Sequence, residues 1–209
     1  EHVDNRLHFY TINQREIPSI SGDVIPEYTF SFGQYRKQII EKYSSDLANA
    51  GIDECLLHKD WVNSRGIVLR FDRRAVEIRV MDEQECVKSD VALSCFIRAL
   101  LRGLGREKNE FLPHEILVKD FNSVVTEGLN AKVLHPRGQT AHRVCQRLFR
   151  IAWENATEQE KKYLPIIQKR IEHGNLSEII RGRVLRKAQK TGFREAVINV
   201  YSRLIKNLM

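Results

Sequence analysis

The chain has 209 residues, 42% of them apolar and 29% charged, and a formal net charge of +7. That is enough apolar matter for one sizeable domain or two small ones of a soluble globular type. The longest uncharged, mostly apolar run, Val91 to Ile97, falls far short of the roughly 20 residues a membrane-spanning helix needs, so no membrane partner is expected. The positive charge reads as spread along the chain, and small anions such as nucleotides account for a mild excess as well as nucleic acid does, so nucleic acid is not the expected partner.

The opening residues, Glu1 to Arg6, have neither the basic flank nor the apolar stretch of a signal peptide, and no initiator Met precedes them, so the sequence reads as cut from something longer. Cys55, Cys86, Cys95 and Cys145 stand far apart, with no CxxC and no histidine at ligand spacing. That argues against a disulfide framework or a zinc site and makes a reducing cytoplasm the expected setting.

In chain order, Leu7 to Ile12 reads as a short strand. Ile17 to Pro26 is a turn-rich stretch, a connector or a binding loop beside a strand, and Gln34 to Ala50 is a helix stopped by Gly51. Ile67–Phe71 and Ala75–Met81 are two β-type runs around the turn Asp72-Arg73-Arg74, a hairpin signature. Alternation in the second run puts Val76, Ile78 and Val80 on one face and Glu77, Arg79 and Met81 on the other. A helix over about Ser89–Arg102 follows, with apolar residues nearly all round. The pattern changes near residue 106 from mixed to helical, which sets expected domains of 1–106 (α+β) and 107–209 (helical bundle). Thr157 and Glu160 make a capping-box pattern, Pro165 kinks or splits the helix it opens, and Phe193 to Leu208 keeps a helical apolar period without a miss.

Glu77 and Arg79 on one strand face have two readings. An exposed ion pair on a solvated face contributes only about 0–1 kcal/mol and does nothing else. Alternatively the pair lines a nucleotide site, with the carboxylate toward a hard cation and the guanidinium fork toward phosphate oxygens. Arg65, Arg70, Arg73 and Arg74 gather in the same hairpin. Arg143, Arg147 and Arg150 form a helical basic stripe that reads as a solvated face, and His135 and His142 are not at metal-ligand spacing.

The strand Ala75-Val-Glu-Ile-Arg-Val-Met-Asp-Glu-Gln84 followed by the helix Asp90 to Leu101, then Asp120 to Ala131 with its Gly-Leu-Asn-Ala end and the turn His135-Pro136-Arg137-Gly138, resembles the second glutamate–cysteine ligase family. The resemblance runs from about Trp61 to about Ala188. It implies an α+β chain: part of a glutamine-synthetase-like antiparallel sheet backed by helices, then a C-terminal helical bundle. It implies the C-terminal portion of an ATP-dependent carboxylate–amine ligase, acting on a glutamate-like amino acid and an amine through an acyl phosphate. By that similarity ATP and Mg²⁺ are the cofactors and Glu77 is a metal ligand. Arg79 is catalytic and contacts the transferred phosphate together with Arg70 and Arg65, and Asp82 positions them. The other acidic ligands would belong to an N-terminal half, so this chain alone is expected to be inactive; a homo-oligomer is compatible with the pattern. A second reading stays open, a non-catalytic binding module of the same fold that senses a nucleotide or binds nucleic acid through its basic helices.

Overall fold

The computed structural model describes residues 2–13, 15–53, 55, 60–106, 111–135 and 138–208, with side chains to residue 206. The chain gathers into two compact units, one made of residues 2–82 and 112–125, the other of 83–111 and 126–209. The turn expected at His135-Pro136-Arg137-Gly138 lies partly outside the described residues.

The first unit opens with helix α1, Asn5–Ile12. This segment was expected to be a strand. The Asp4 side chain accepts a hydrogen bond from Leu7 N at 2.9 Å and so caps a helix N-terminus. A cap satisfies an otherwise orphaned donor, and in a six-residue run it outweighs the β-type composition. Helix α2 is built of Phe32–Tyr35, a π-turn over Arg36–Ile40, and Glu41–Asn49. It starts at the Ser31 cap and ends before Gly51, whose φ of +74° lies in the left-handed region glycine favours. Its buried face is Tyr35, Ile39, Tyr43 and Leu47, with Ile17, Ile20, Val62 and Leu69 packed on it. Burial pushes the Tyr43 phenol up to about 12.

The hairpin expected from the sequence is present as strands β1, Ile67–Arg70, and β2, Ala75–Ile78, paired antiparallel with Val68 opposite Glu77 and Arg70 opposite Ala75. The strands are shorter than expected because the N–H groups of Arg79 and Val80 both converge on the Gly66 carbonyl, at 2.7 and 3.4 Å, which closes the ladder. Of the larger antiparallel sheet that the family resemblance implies, the described residues contain this two-stranded part. The expected sidedness is only half met. Leu69 packs on α2, but Val76, on the same face, is 61% exposed, while Val68 on the charged face is 1% exposed.

The loop of residues 17–27 is stitched to the hairpin entry: Ser64 N donates to Ile20 O at 2.8 Å and Gly66 N to Val24 O at 2.7 Å. A Cβ on Gly66 would sit 2.6 Å from Val80 Cγ1 and 3.0 Å from Val24 O. Gly66→Ala is therefore expected to lower the stability of this unit by about 1–3 kcal/mol, the usual size of overpacking against a fixed backbone. Chemical unfolding followed by Trp61 fluorescence checks it.

The second unit is helical: α3 Val87–Leu104, the end of α4 (His114–Glu127), α5 Ala141–Asn155, α6 Glu158–Lys161, α7 Leu164–His173, α8 Leu176–Thr191 and α9 Phe193–Leu208. The Thr157–Glu160 capping box is formed, and Pro165 falls in the first turn of α7, so of the two outcomes expected at Pro165 the helix is split rather than kinked. Glu160 is 6% exposed. Its carboxylate receives Thr157 N at 2.9 Å, Thr157 Oγ1 at 3.1 Å and the Arg102 guanidinium. These donors, the Thr157 N–H first, hold it down at about 2. Helices α8 and α9 form a hairpin closed by Val184, Ala196 and Val200. The α+β chain with a helical C-terminal part is as the sequence indicates. None of the described helices is long and apolar enough to cross a membrane, and the four cysteines are free thiols.

Candidate functional site

The hairpin register brings Arg70 and Glu77 onto one face, and Arg79 follows two residues on. Arg79 Nε donates to Glu77 Oε1 at 2.9 Å and Arg70 Nη1 to Glu77 Oε2 at 3.1 Å, so one carboxylate bridges two guanidiniums. Both arginine side chains are drawn in, 16% and 17% exposed, whereas Glu77 is 39% exposed. Arg79 Nη1 also reaches Trp61 O at 3.3 Å and the Asn63 carbonyl. The Arg79 hydrogen bond, helped by Arg70 and opposed by partial burial, holds the Glu77 carboxyl below the usual carboxylate range. Glu77 is thus a fixed negative charge that aims two forks. This is tighter than the exposed pair of the bland sequence reading.

Arg70 has capacity left over. Its Nε is buried and makes no hydrogen bond, the nearest carboxylate oxygen being Asp72 Oδ1 at 3.5 Å. A buried guanidinium N–H without an acceptor is costly, and an anion oxygen would satisfy it. The residues here therefore fit a phosphate group.

Arg65 does not belong to this cluster in function. It is 2% exposed, and it donates to Glu27 through Nε and Nη2 at 2.5 and 2.7 Å, to Ser19 O at 3.0 Å and to Asn63 Oδ1 at 3.3 Å. Burial alone would raise the Glu27 carboxyl, but the Arg65 fork outweighs it and the carboxyl lies below its ordinary value. With its donors committed inside the loop of residues 17–27, Arg65 is a brace rather than the phosphate contact expected of it. Asp82 likewise pairs elsewhere, with Arg6 Nε at 3.0 Å, and Arg6 also donates to the Val80 carbonyl. It anchors α1 to the end of the hairpin.

Sequence reasoning missed Tyr10. Its hydroxyl donates to Ser64 O at 2.8 Å. Burial raises the phenol above its ordinary value against the opposing charges of Arg79 and Arg6, with Glu77 also in reach. Reading Leu7–Ile12 as a strand hid it; a cap signal at Asp4 followed by helical spacing would have placed Arg6 and Tyr10 together.

Magnesium is a different matter. A hard cation takes about six oxygen ligands, whereas both Glu77 oxygens are held by guanidiniums and no group of three or more His, Cys, Asp or Glu among the described residues could hold a metal. The residues of this chain do not by themselves fit a magnesium site, and Glu77 has the chemistry of an orienting charge instead.

The sequence matches the family described as glutamate–cysteine ligase family 2 over residues 2–200. The chain belongs to that family. The match takes in the loop of residues 17–27 and α1 as well as the hairpin. An uncharacterized protein of Archaeoglobus fulgidus is 42% identical over 179 residues, 86% of this chain and 45% of that protein. The chain thus spans about half the length of that protein. No solved structure matches it.

Proposed function

We propose that the protein carrying this chain is an ATP-dependent carboxylate–amine ligase acting on a glutamate-like substrate, with Arg70 and Arg79 forming a phosphate clamp at the hairpin. The carrying observation is that one carboxylate, Glu77, holds two inward-drawn guanidiniums, one of which keeps a buried Nε whose nearest carboxylate oxygen, Asp72 Oδ1, is a long 3.5 Å away. Family membership supports the ligase reading.

ATP supplies the phosphoryl group that turns the substrate carboxylate into an acyl phosphate, from which an amine displaces phosphate. Charge in such a transfer spreads over the phosphoryl oxygens, so the protein's task is positioning and charge stabilisation. Arg79, locked by Glu77 and two carbonyls, presents a planar fork in a fixed direction. Arg70, across the hairpin, supplies the second fork, and Glu77 keeps both from swinging toward solvent. The Tyr10 hydroxyl borders the cluster and braces Ser64, beneath the Arg79 contact to Asn63. The charges and nucleotide contacts that complete the site belong to the longer protein, so the 209-residue chain alone is expected to release no phosphate.

The test is ADP release by the full-length protein with glutamate and a panel of amines that includes cysteine, with the amide product identified by mass spectrometry. Amine-dependent ADP release with a matching amide is expected. Absence of both across the panel, from protein that binds ATP, would remove the ligase reading.

A further inference from the structure

The last two helices carry a feature that the ligase reading does not use. Residues 176–208 contain eight cationic and two acidic side chains, a net +6 of the chain's +7. The charge that reads as scattered is concentrated here. Between α8 and α9 runs a groove of about 550 Å³ lined by Arg183, Arg186, Lys187, Lys190 and Arg203, with Asn199 and Val200. The four α8 cations fall at i, i+3, i+4 and i+7, one face over about 10 Å of helix. Like charges at that spacing repel and destabilise the helix that carries them. Neither acid relieves them: Glu178 caps α8 at Asn175, Glu195 lies at the turn into α9, and among the described residues none of the five cations has an ion pair.

We infer that the α8–α9 groove is a docking surface for the phosphodiester backbone of a nucleic acid. A small-molecule pocket encloses its ligand among apolar and aromatic residues with few charges, whereas five of the seven residues lining this groove are cationic and none is aromatic. A protein-docking surface is built around aromatic side chains at its centre and is depleted in lysine, whereas this groove has two lysines and no aromatic residue in its lining. Arg, Lys and Asn without an aromatic stacking partner are the side chains that contact phosphates and sugars, which fixes a backbone in place without reading bases. Binding is therefore sequence-independent and carried by counterion release.

The experiment is fluorescence anisotropy of a labelled single-stranded RNA of about 20 nucleotides and mixed sequence, titrated with the purified protein from about 20 to 200 mM NaCl. Five phosphate contacts give a slope of log K against log salt of about −3.5. Arg186→Gln, Lys187→Gln and Lys190→Gln together are expected to weaken binding at least about tenfold and to flatten the slope by about 2. They also remove like-charge repulsion, so the variant melts no lower than the parent. A control loses the same charge elsewhere, by Arg143→Gln, Arg147→Gln and Arg150→Gln on α5. It is expected to bind within about threefold of the parent, as a site rather than net charge is at work. Equal loss in both variants, unchanged binding in the α8 variant, or capture of inorganic tripolyphosphate with no capture of RNA would each overturn the proposal. None of these outcomes bears on the Arg70–Arg79 clamp, which lies on other residues.

Discussion

Replacing Arg79 by lysine in the full-length protein is expected to lower kcat/KM by about 10²–10³, the usual loss when one preorganised charge contact to a transition state is removed, or roughly 3–4 kcal/mol. Lysine keeps the charge and removes the fork. In this chain Nε is held by Glu77 and Nη1 by the carbonyls of Trp61 and Asn63, which leaves Nη2 for the phosphoryl oxygens, and a single ammonium cannot both keep that orientation and make the contact. Glu77→Gln is expected to lower turnover as well, because glutamine cannot accept from both arginines as a carboxylate does. Melting temperatures should move little, since the cluster is partly exposed and such pairs contribute about 0–1 kcal/mol. Steady-state ADP release with parallel melts separates the readings: turnover near the parental value in both variants would reduce the cluster to a surface ion pair.

The largest stability effect is expected at Glu160. Its carboxyl is held at about 2 against an ordinary 4.5, a difference of about 3 kcal/mol in favour of the charged form. The folded-state value is the lower one, so the stabilisation is fully present above about pH 4.5 and is lost as pH falls toward 2. Glu160→Gln should therefore cost about 3 kcal/mol at neutral pH and progressively less below pH 4.5. The Arg102 guanidinium and the Thr157 donors, which all converge on one Glu160 oxygen, then face a neutral amide oxygen in place of a carboxylate, so their charge-assisted part is lost. Urea unfolding followed through Trp153, in a Trp61→Phe background, reads this unit. A difference between parent and variant that stays constant from pH 7 to pH 3 would contradict the assignment.

How much of this was legible follows the length over which each signal repeats. Helix α9 repeats its apolar period through four turns, and the hairpin announces itself by two β-type runs around a polar turn, so both are readable without a structure. The family motif lies on the same hairpin, which is why Glu77, Arg70 and Arg79 were chosen together and are found together. Leu7–Ile12 was misread because six residues cannot distinguish two periods, and the deciding atom, an Asp4 oxygen, lies outside the run. Arg65 was grouped with the other arginines because sequence shows a cation near a site but not where its donors go. Glu27, 38 positions earlier, takes them. The basic groove was only partly legible for a related reason: the excess of cations in residues 176–208 can be counted in the sequence, but they become one surface only once helix geometry stacks those of α8 and Arg203 of α9 closes the other side.

The central claim is that Arg70 and Arg79 act on the transferred phosphoryl group rather than on substrate binding or folding. Single-turnover rapid quench with γ-labelled ATP and glutamate, comparing the parent protein with Arg79→Lys, tests it most directly. The account predicts phosphoryl transfer slowed by about 10²-fold or more, with the Kd for ATP changed by no more than about threefold. Transfer at the parental rate, with the loss confined to ATP affinity or to a later step, would contradict it.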